Sequence, residues 1–211
     1  MTREEANALH NPFIRSGHFR ADVQIDCTEC DPDPSLLNNS AVALIFPSQA
    51  WIDVAASVPT ITALFIDRPK AKDLNSLANL SLINLTVSYP SRVKDWTFLQ
   101  RIPSLLRLSL HNTLSLPDLE AVRSLPCLEV FQLSGGYSSS LRLPSLSPLA
   151  DCRRLTAIDL VAIRCTDWSL KPLFGLSALR RFDCPLWWPS TELHAFLAHN
   201  KVLQCNVTER T

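Results

Sequence analysis

Apolar residues recur along this chain with a spacing of three positions and then two. In the stretch IPSLLRLSL, residues 102–110, the spacing falls on Leu105, Leu108 and Leu110. Residues two positions apart point to the same side of a β-strand, so the last two members of each triplet predict a strand with one buried face. Seven clear copies of the triplet occur: Ile61/Leu64/Ile66, Leu80/Ile83/Leu85, Leu105/Leu108/Leu110, Leu128/Phe131/Leu133, Leu155/Ile158/Leu160, Leu179/Phe182/Cys184 and Val202/Cys205/Val207. Two weaker copies precede them: Arg20/Val23/Ile25 and Ala41/Leu44/Phe46.

A second apolar pattern lies upstream of most triplets and predicts a short helical turn in each unit. Leu99 and Ile102, for example, lie six and three positions before Leu105, and a spacing of three marks one face of a helix or 3₁₀ turn. Acidic residues before these turns are expected to cap free backbone N–H groups. They are Asp73, Asp95, Asp118 and Glu192.

The repeat length resembles that of leucine-rich repeat proteins. The middle residues of successive triplets lie 19 to 27 positions apart, close to the 20–29 residues typical of that family. The resemblance covers about residues 20–208 and implies an α/β solenoid of about nine units, a right-handed β–α superhelix with a parallel sheet on its concave face. The family's asparagine or cysteine at the ninth position is missing here, since that position holds residues such as Thr113 and Gly136. Residues 1–19 are predicted to form an N-terminal cap and residues 209–211 a C-terminal tail.

The resemblance implies that side chains between the triplet positions line the concave face. On this basis Phe65 and Leu82 are expected to be exposed in the N-terminal half, and Arg107, Asp159, Arg181 and Asp183 to charge the C-terminal half. Exposed aromatic and arginine side chains are enriched at binding hot spots, so this face is predicted to bind a partner. The candidate residues on it are Phe65, Asn84, Arg107, Ser109, His111, Gln132, Asp159, Arg181 and Asp183.

Two segments outside the strands are further candidates for partner contact. LSGGYSSSLRLPSLSP, residues 133–148, enlarges its unit to the longest in the chain and is predicted to be a mobile loop that presents Tyr137. In CPLWWPST, residues 184–191, Trp187 and Trp188 follow a strand. The tryptophans belong either to a C-terminal cap or to a binding hot spot, and the sequence does not decide between these roles.

Composition narrows the class of protein. The 211 residues are 46% apolar and 19% charged, with formal net charge zero, which suits a globular protein and lacks the basic excess typical of nucleic-acid binders. No run of about 18 apolar residues indicates a membrane span, and the charged start MTREE does not suit a secretory signal. The seven cysteines are therefore interpreted as reduced thiols in a cytoplasm.

Three sites of possible chemistry are considered. CTEC, residues 27–30, has the spacing of half a zinc site, but the next cysteine is Cys127. His10 and His18 are possible further ligands, although their spacing from the cysteines is not that of a known zinc site. Ser109, His111 and Asp159 supply the residue types of a hydrolytic triad, although side chains two apart on one strand are separated by about 7 Å. Asp159 and Asp183 form a carboxylate pair on neighbouring units, expected to make ion pairs with Arg181 or Arg107. No catalytic, cofactor or metal site is predicted.

These patterns favour a non-catalytic module that binds one partner protein on its concave face. An inhibitor or toxin-immunity protein is the favoured function, since the solenoid is expected to be the only domain. The alternatives are a substrate-recognition adaptor of a larger, ubiquitin-ligase-like complex and a zinc-binding or enzymatic protein that uses Cys27 and Cys30. Neither a nucleic acid nor a membrane is an expected partner.

Overall fold

A nine-stranded parallel sheet forms one side of the molecule in the computed structural model, which describes residues 21–114, 116–136, 139–185, 188–200 and 204–208. Neighbouring strands in the sheet follow one another along the chain. The strands are β1 (Val23–Asp26), β2 (Ala41–Ile45), β3 (Ala63–Asp67), β4 (Asn84–Ser88), β5 (Arg107–His111), β6 (Val130–Ser134), β8 (Ala157–Val161), β10 (Arg181–Pro185) and β11 (Gln204–Thr208).

Each strand returns to the next through a helical segment on the opposite side of a continuous apolar core. Most of these segments are short 3₁₀ helices, and two are α-helices: α1 (Gln49–Ala56) and α2 (Ser190–His199). The 3₁₀ helices are Pro34–Leu37, Asn75–Asn79, Thr97–Arg101, Glu120–Val122, Ser147–Asp151 and Lys171–Leu173. The core runs from Ile25 in β1 to Phe196 in α2, so each unit buries its apolar face against its neighbours.

Three of the four predicted helix caps are confirmed. The Oδ1 atoms of Asp73, Asp95 and Asp118 accept hydrogen bonds from backbone N–H groups two residues later, at 3.1, 2.8 and 2.9 Å. The hydrogen bond from Thr97 N–H also lowers the pKa of Asp95. Glu192 does not cap its own helix. It lies within α2 and accepts a hydrogen bond from the N–H of Leu170 in the preceding unit.

The triplet register predicted for two units is wrong by two residues. Leu85 pairs with Leu64 and Leu108 on the neighbouring strands, so the core positions of β4 are Leu85 and Val87 and not Ile83 and Leu85. Ile83 is 45% exposed, whereas Leu82, predicted to lie on the concave face, is fully buried in the core. In β2 the core positions are likewise Val42 and Leu44 and not Leu44 and Phe46, because Val42 pairs with Leu64.

The long segment 133–148 is only partly a loop. Its residues Leu141–Leu143 form β7, which pairs in parallel with β9 (Ile163–Cys165) in a separate two-stranded sheet. Leu141 and Leu143 are both buried, so this part of the segment is core and not the predicted mobile contact loop. Gly135 is required where the two sheets meet, since a Cβ atom there would collide with the carbonyl oxygen of Ala162 and with the N–H of Leu141. Tyr137 lies outside the described residues.

The described C-terminal residues close the core with aromatic side chains. Trp188 is 3% exposed and meets Trp168 edge to face, with ring centroids 6.0 Å apart. Phe196 of α2 is fully buried against Phe182. Trp188 therefore belongs to the cap, and its alternative role as an exposed hot spot is wrong. Trp187, residues 1–19 and residues 209–211 lie outside the described residues.

Candidate protein-binding surface

Three rows of side chains lie on the face of the sheet turned away from the main core, which is the concave face of this fold class. We name each row after its residue in β5: the Arg107 row, the Ser109 row and the His111 row. Strand pairing places Ala63 and Asn84 beside Arg107, Phe65 and Thr86 in line with Ser109, and Asp67 and Ser88 in line with His111. Asn84 is therefore in the Arg107 row, two positions from where the sequence pattern placed it.

In the N-terminal half of this face, the side chains of the Ser109 and His111 rows are buried on β2, β3 and β4. Phe65 is fully buried with Ala43 and Ile45 in a second apolar cluster separate from the main core. The prediction that Phe65 is an exposed binding residue is therefore wrong. The sequence pattern assigned it to the correct face, but the face itself is closed there.

Polar residues of the N-terminal half are buried as well. Asp67 is 3% exposed and Ser88 is fully buried. Among the described residues, neither Asp67 Oδ1 nor Ser88 Oγ has a hydrogen-bond partner. Desolvation raises the pKa of Asp67 to about 6, against a smaller lowering effect of Arg68, whose Nη1 lies 3.5 Å from Asp67 Oδ2. Buried polar groups without hydrogen-bond partners reduce the stability of the fold. This half of the face is therefore not a solvated surface.

The middle of the sheet carries a hydrogen bond between neighbouring strands. Ser109 Oγ donates to Gln132 Oε1 at 2.8 Å, and the two side chains are 7% and 8% exposed. His111 is 7% exposed. These three predicted binding residues are thus nearly buried. The Ser109 hydroxyl donates its hydrogen to Gln132 and therefore not to His111, as a hydrolytic triad would require.

The C-terminal half of the face is open to solvent. Arg107 is exposed, and Val161 on β8 is 47% exposed. Asp159 and Asp183 pair across β8 and β10 and are half-buried. Arg181 Nε lies 3.1 Å from Asp183 Oδ2, although without hydrogen-bond geometry, and among the described residues Asp183 Oδ1 has no hydrogen-bond partner. The expected ion pair with Arg181 is thus present on Asp183.

A groove that the sequence analysis missed runs along the carboxyl ends of β3 to β6. It has a volume of about 640 Å³ and is lined by four cationic side chains, Arg68, Lys70, Arg92 and Lys94. Its described lining residues include no carboxylate. Tyr89 and Leu114 in its wall are 37% and 57% exposed. One signal was available in the sequence: cations follow both β3 and β4, at 68–70 and 92–94.

A backbone conformation repeated at the strand ends shapes this edge. The residue directly after each of five strands has a positive φ, between 47° and 55°, a region that bulky residues rarely adopt. These residues are Phe46, Arg68, Tyr89, Asn112 and Ala162. The conformation lets the N–H groups of Phe46, Arg68 and Tyr89 continue the hydrogen-bond ladder to the next strand, at 2.8–2.9 Å.

Cys27 and Cys30 lie together in the loop after β1 and border a separate shallow pocket. Burial, followed by the nearby Cys30, raises the pKa of Cys27 to about 12. Within the described ranges, no group of three or more His, Cys, Asp and Glu side chains is placed to hold a metal ion. His10 and His18 lie outside those ranges.

Comparison with solved structures identifies the architecture. The internalin InlF of Listeria monocytogenes superposes with a TM-score of 0.52 at 18% identity, over 76% of this chain and 45% of the internalin. The internalin C2 of the same organism superposes with a TM-score of 0.50 at 16% identity, over 77% of this chain and 76% of that one. The fold is a leucine-rich repeat solenoid.

Identity at this level establishes the fold alone, and the chain spans less than half of the length of InlF. No family model matches the sequence, and no curated protein matches it significantly. No helix in the described part of the chain is long and apolar enough to cross a bilayer.

Proposed function

We propose that this leucine-rich repeat protein binds one partner protein through the C-terminal half of its concave face and acts as a non-catalytic inhibitor, in the manner of an immunity protein. The observation that carries the proposal is the exposure of Arg107 and Val161 beside the half-buried Asp159, Arg181 and Asp183. This set combines an apolar side chain with charges of both signs, the mixture typical of specific interfaces.

The rigidity of the support favours tight binding. Every one of these side chains lies on a strand held in the sheet by parallel neighbours. A partner therefore meets side chains whose backbone is already ordered, which lowers the entropic cost of association. Rigid presentation over a broad face suits an inhibitor that covers part of its target.

The carboxylates of Asp159 and Asp183 support contact by a hydrogen-bond donor. They lie side by side on β8 and β10, and both residues are partly exposed. A lysine, arginine or amide group of a bound protein would meet two negative charges at this place. We therefore expect the partner to place a basic side chain over β8 and β10.

A capture experiment from lysate of the source organism tests the proposal. The concave-face variant Arg107→Ala/Val161→Ser removes one cation and one apolar side chain, both exposed. The matched control Lys171→Ala/Leu36→Ser removes the same two types from 3₁₀ helices away from the sheet. We expect a single stoichiometric protein with wild type and control that is lost with the concave-face variant. Equal recovery with both variants would refute the concave site.

The identity and fate of the captured protein test the inhibitory role. An inhibitor is expected to lower the activity of its partner when mixed with it at equal concentration. Co-purification with a ligase scaffold, with partner activity unchanged, would instead support the adaptor function.

A further inference from the structure

The groove at the carboxyl ends of β3 to β6 has the features of a second binding site. Its two cationic segments come from consecutive units, Arg68 and Lys70 after β3 and Arg92 and Lys94 after β4. The whole chain has no net charge, so this concentration of cations is a local feature. It gives the groove a positive potential that attracts anionic groups.

Two of the cations are held in place by their surroundings. The Arg68 guanidinium lies over the rings of Phe46 and Tyr89, with centroids 5.6 and 4.9 Å away, and also contacts Asp67. Arg92 Nη1 donates to the carbonyl oxygen of Lys70 at 3.4 Å. These contacts pre-order the groove, which lowers the cost of binding a ligand.

The described acidic side chains do not neutralise the remaining cationic charge. Among the ion pairs in the described part of the chain, none includes Lys70, Arg92 or Lys94, and all three side chains are exposed. Three cations from two adjacent loops, with a groove between them and Leu114, favour a ligand with several negative charges and not a single anion.

The apolar part of the groove indicates the kind of ligand. Leu114 is the most exposed large apolar side chain among those described, and Tyr89 adds an exposed aromatic ring. A highly charged small anion would leave the apolar side chain of Leu114 exposed to water. An acidic peptide that also carries an apolar side chain would use the cations and the apolar wall together.

The length of the groove fits a short extended segment. Four strand ends separated by three gaps of about 4.8 Å span roughly 14 Å. An extended chain rises about 3.3 Å per residue, so four or five residues fill this distance. We propose that the groove binds an acidic segment of a protein partner, in extended conformation, with carboxylates over Lys70, Arg92 and Lys94 and an apolar side chain on Leu114. The proposal rests on the proposed function in that the protein partner supplies this segment.

A binding assay with synthetic peptides tests the site without knowledge of the partner. The probe is a fluorescein-labelled peptide of four glutamates followed by leucine, and its control replaces every glutamate by glutamine. The groove variant is Lys70→Ala/Arg92→Ala/Lys94→Ala. The matched variant Arg142→Ala/Arg153→Ala/Lys171→Ala removes three exposed cations outside the groove, and thermal unfolding checks that both variants fold.

We expect wild type and the matched variant to bind the glutamate peptide with equal affinity. The groove variant is expected to bind it at least about tenfold more weakly, and the affinity of wild type is expected to fall as the salt concentration is raised. The single change Leu114→Ala keeps every charge and is expected to weaken binding several-fold. Equal weakening by both triple variants, or no detectable binding to wild type, would overturn the proposal.

Two further probes separate this ligand class from others. A phosphoserine peptide that binds where the glutamate peptide does not, or selective binding to phosphatidylserine vesicles, would also overturn it. The concave-face variant Arg107→Ala/Val161→Ser is expected to bind the glutamate peptide normally. The peptide assay can therefore refute the groove proposal without affecting the concave-face proposal, and the capture experiment can do the reverse.

Discussion

The N-terminal and C-terminal halves of the concave face have the same parallel strand pairing but differ in the burial of their side chains. Phe65 on β3 and Asp159 on β8 belong to the same row. Phe65 is fully buried with Ala43 and Ile45, whereas Asp159 is half-exposed. The difference shows that position in a repeat fixes the direction of a side chain, while its neighbours decide whether it stabilises the fold or remains accessible.

The largest effect expected from this comparison is on Phe65. Phe65→Ala removes a fully buried ring and should lower the free energy of unfolding by about 3–5 kcal/mol through loss of burial and cavity formation. Denaturant unfolding measures the loss. A change below about 1 kcal/mol would mean that the N-terminal half of the face is as open as the C-terminal half.

The next effect concerns the buried carboxyl of Asp67. Its folded pKa of about 6 exceeds the ordinary value of 3.8, so between these values the native state binds more protons than the unfolded state, and stability falls as pH rises. The cost is complete above pH 6 and amounts to roughly 2–3 kcal/mol at 1.36 kcal/mol per pKa unit. Asp67→Asn should therefore stabilise the protein at pH 7.5 by more than at pH 4.

Thermal unfolding of wild type and Asp67→Asn at the two pH values makes this measurement. Thr86→Val is the control for any general effect of pH. It is also a polar-to-apolar change in the same half of the face, but it removes no titrating group. An identical stabilisation by Asp67→Asn at both pH values would contradict the raised pKa.

A smaller effect is expected at the boundary between the halves. Ser109→Ala leaves the nearly buried Gln132 Oε1 without the hydroxyl that donates to it. We expect a loss of about 1 kcal/mol, the usual net value of such a hydrogen bond. The double variant Ser109→Ala/Gln132→Leu should recover part of it in denaturant unfolding, and additive losses would argue against coupling between the two side chains.

The smallest effect on stability is expected in the C-terminal half. Val161→Ser changes an exposed side chain and should alter the free energy of unfolding by no more than about 0.5 kcal/mol, while weakening capture of the partner. Urea unfolding measures the effect on stability, and quantitative capture measures the effect on partner binding. A large destabilisation would assign Val161 to the core.

The repeat architecture could be predicted from the sequence because strong triplets such as Leu105/Leu108/Leu110 leave one choice of register. In β4, Leu80, Leu82, Ile83, Leu85 and Val87 allow two registers that differ by two residues. Both keep apolar side chains on one face. Pairing of Leu85 with Leu64 and Leu108 decides between them, and that information lies in the neighbouring strands.

The candidate site was predictable only in part. Arg107 and Asp183 were assigned to the correct face by strand alternation, but the closed half around Phe65 depends on contacts between units that spacing does not encode. The groove depends on the left-handed backbone at residues such as Arg68 and Tyr89. No glycine marks these positions, so turn chemistry gave no signal there.

Hydroxyl-radical footprinting of the free protein and of its complex with the captured partner tests whether the partner binds the open C-terminal half of the concave face while the N-terminal half stays closed. It reports side-chain exposure on both halves of the concave face at once. We expect Val161 to be oxidised in the free protein and protected in the complex, and Phe65 to resist oxidation in both. Oxidation of Val161 to the same extent in the complex, or ready oxidation of Phe65 in the free protein, would contradict this expectation.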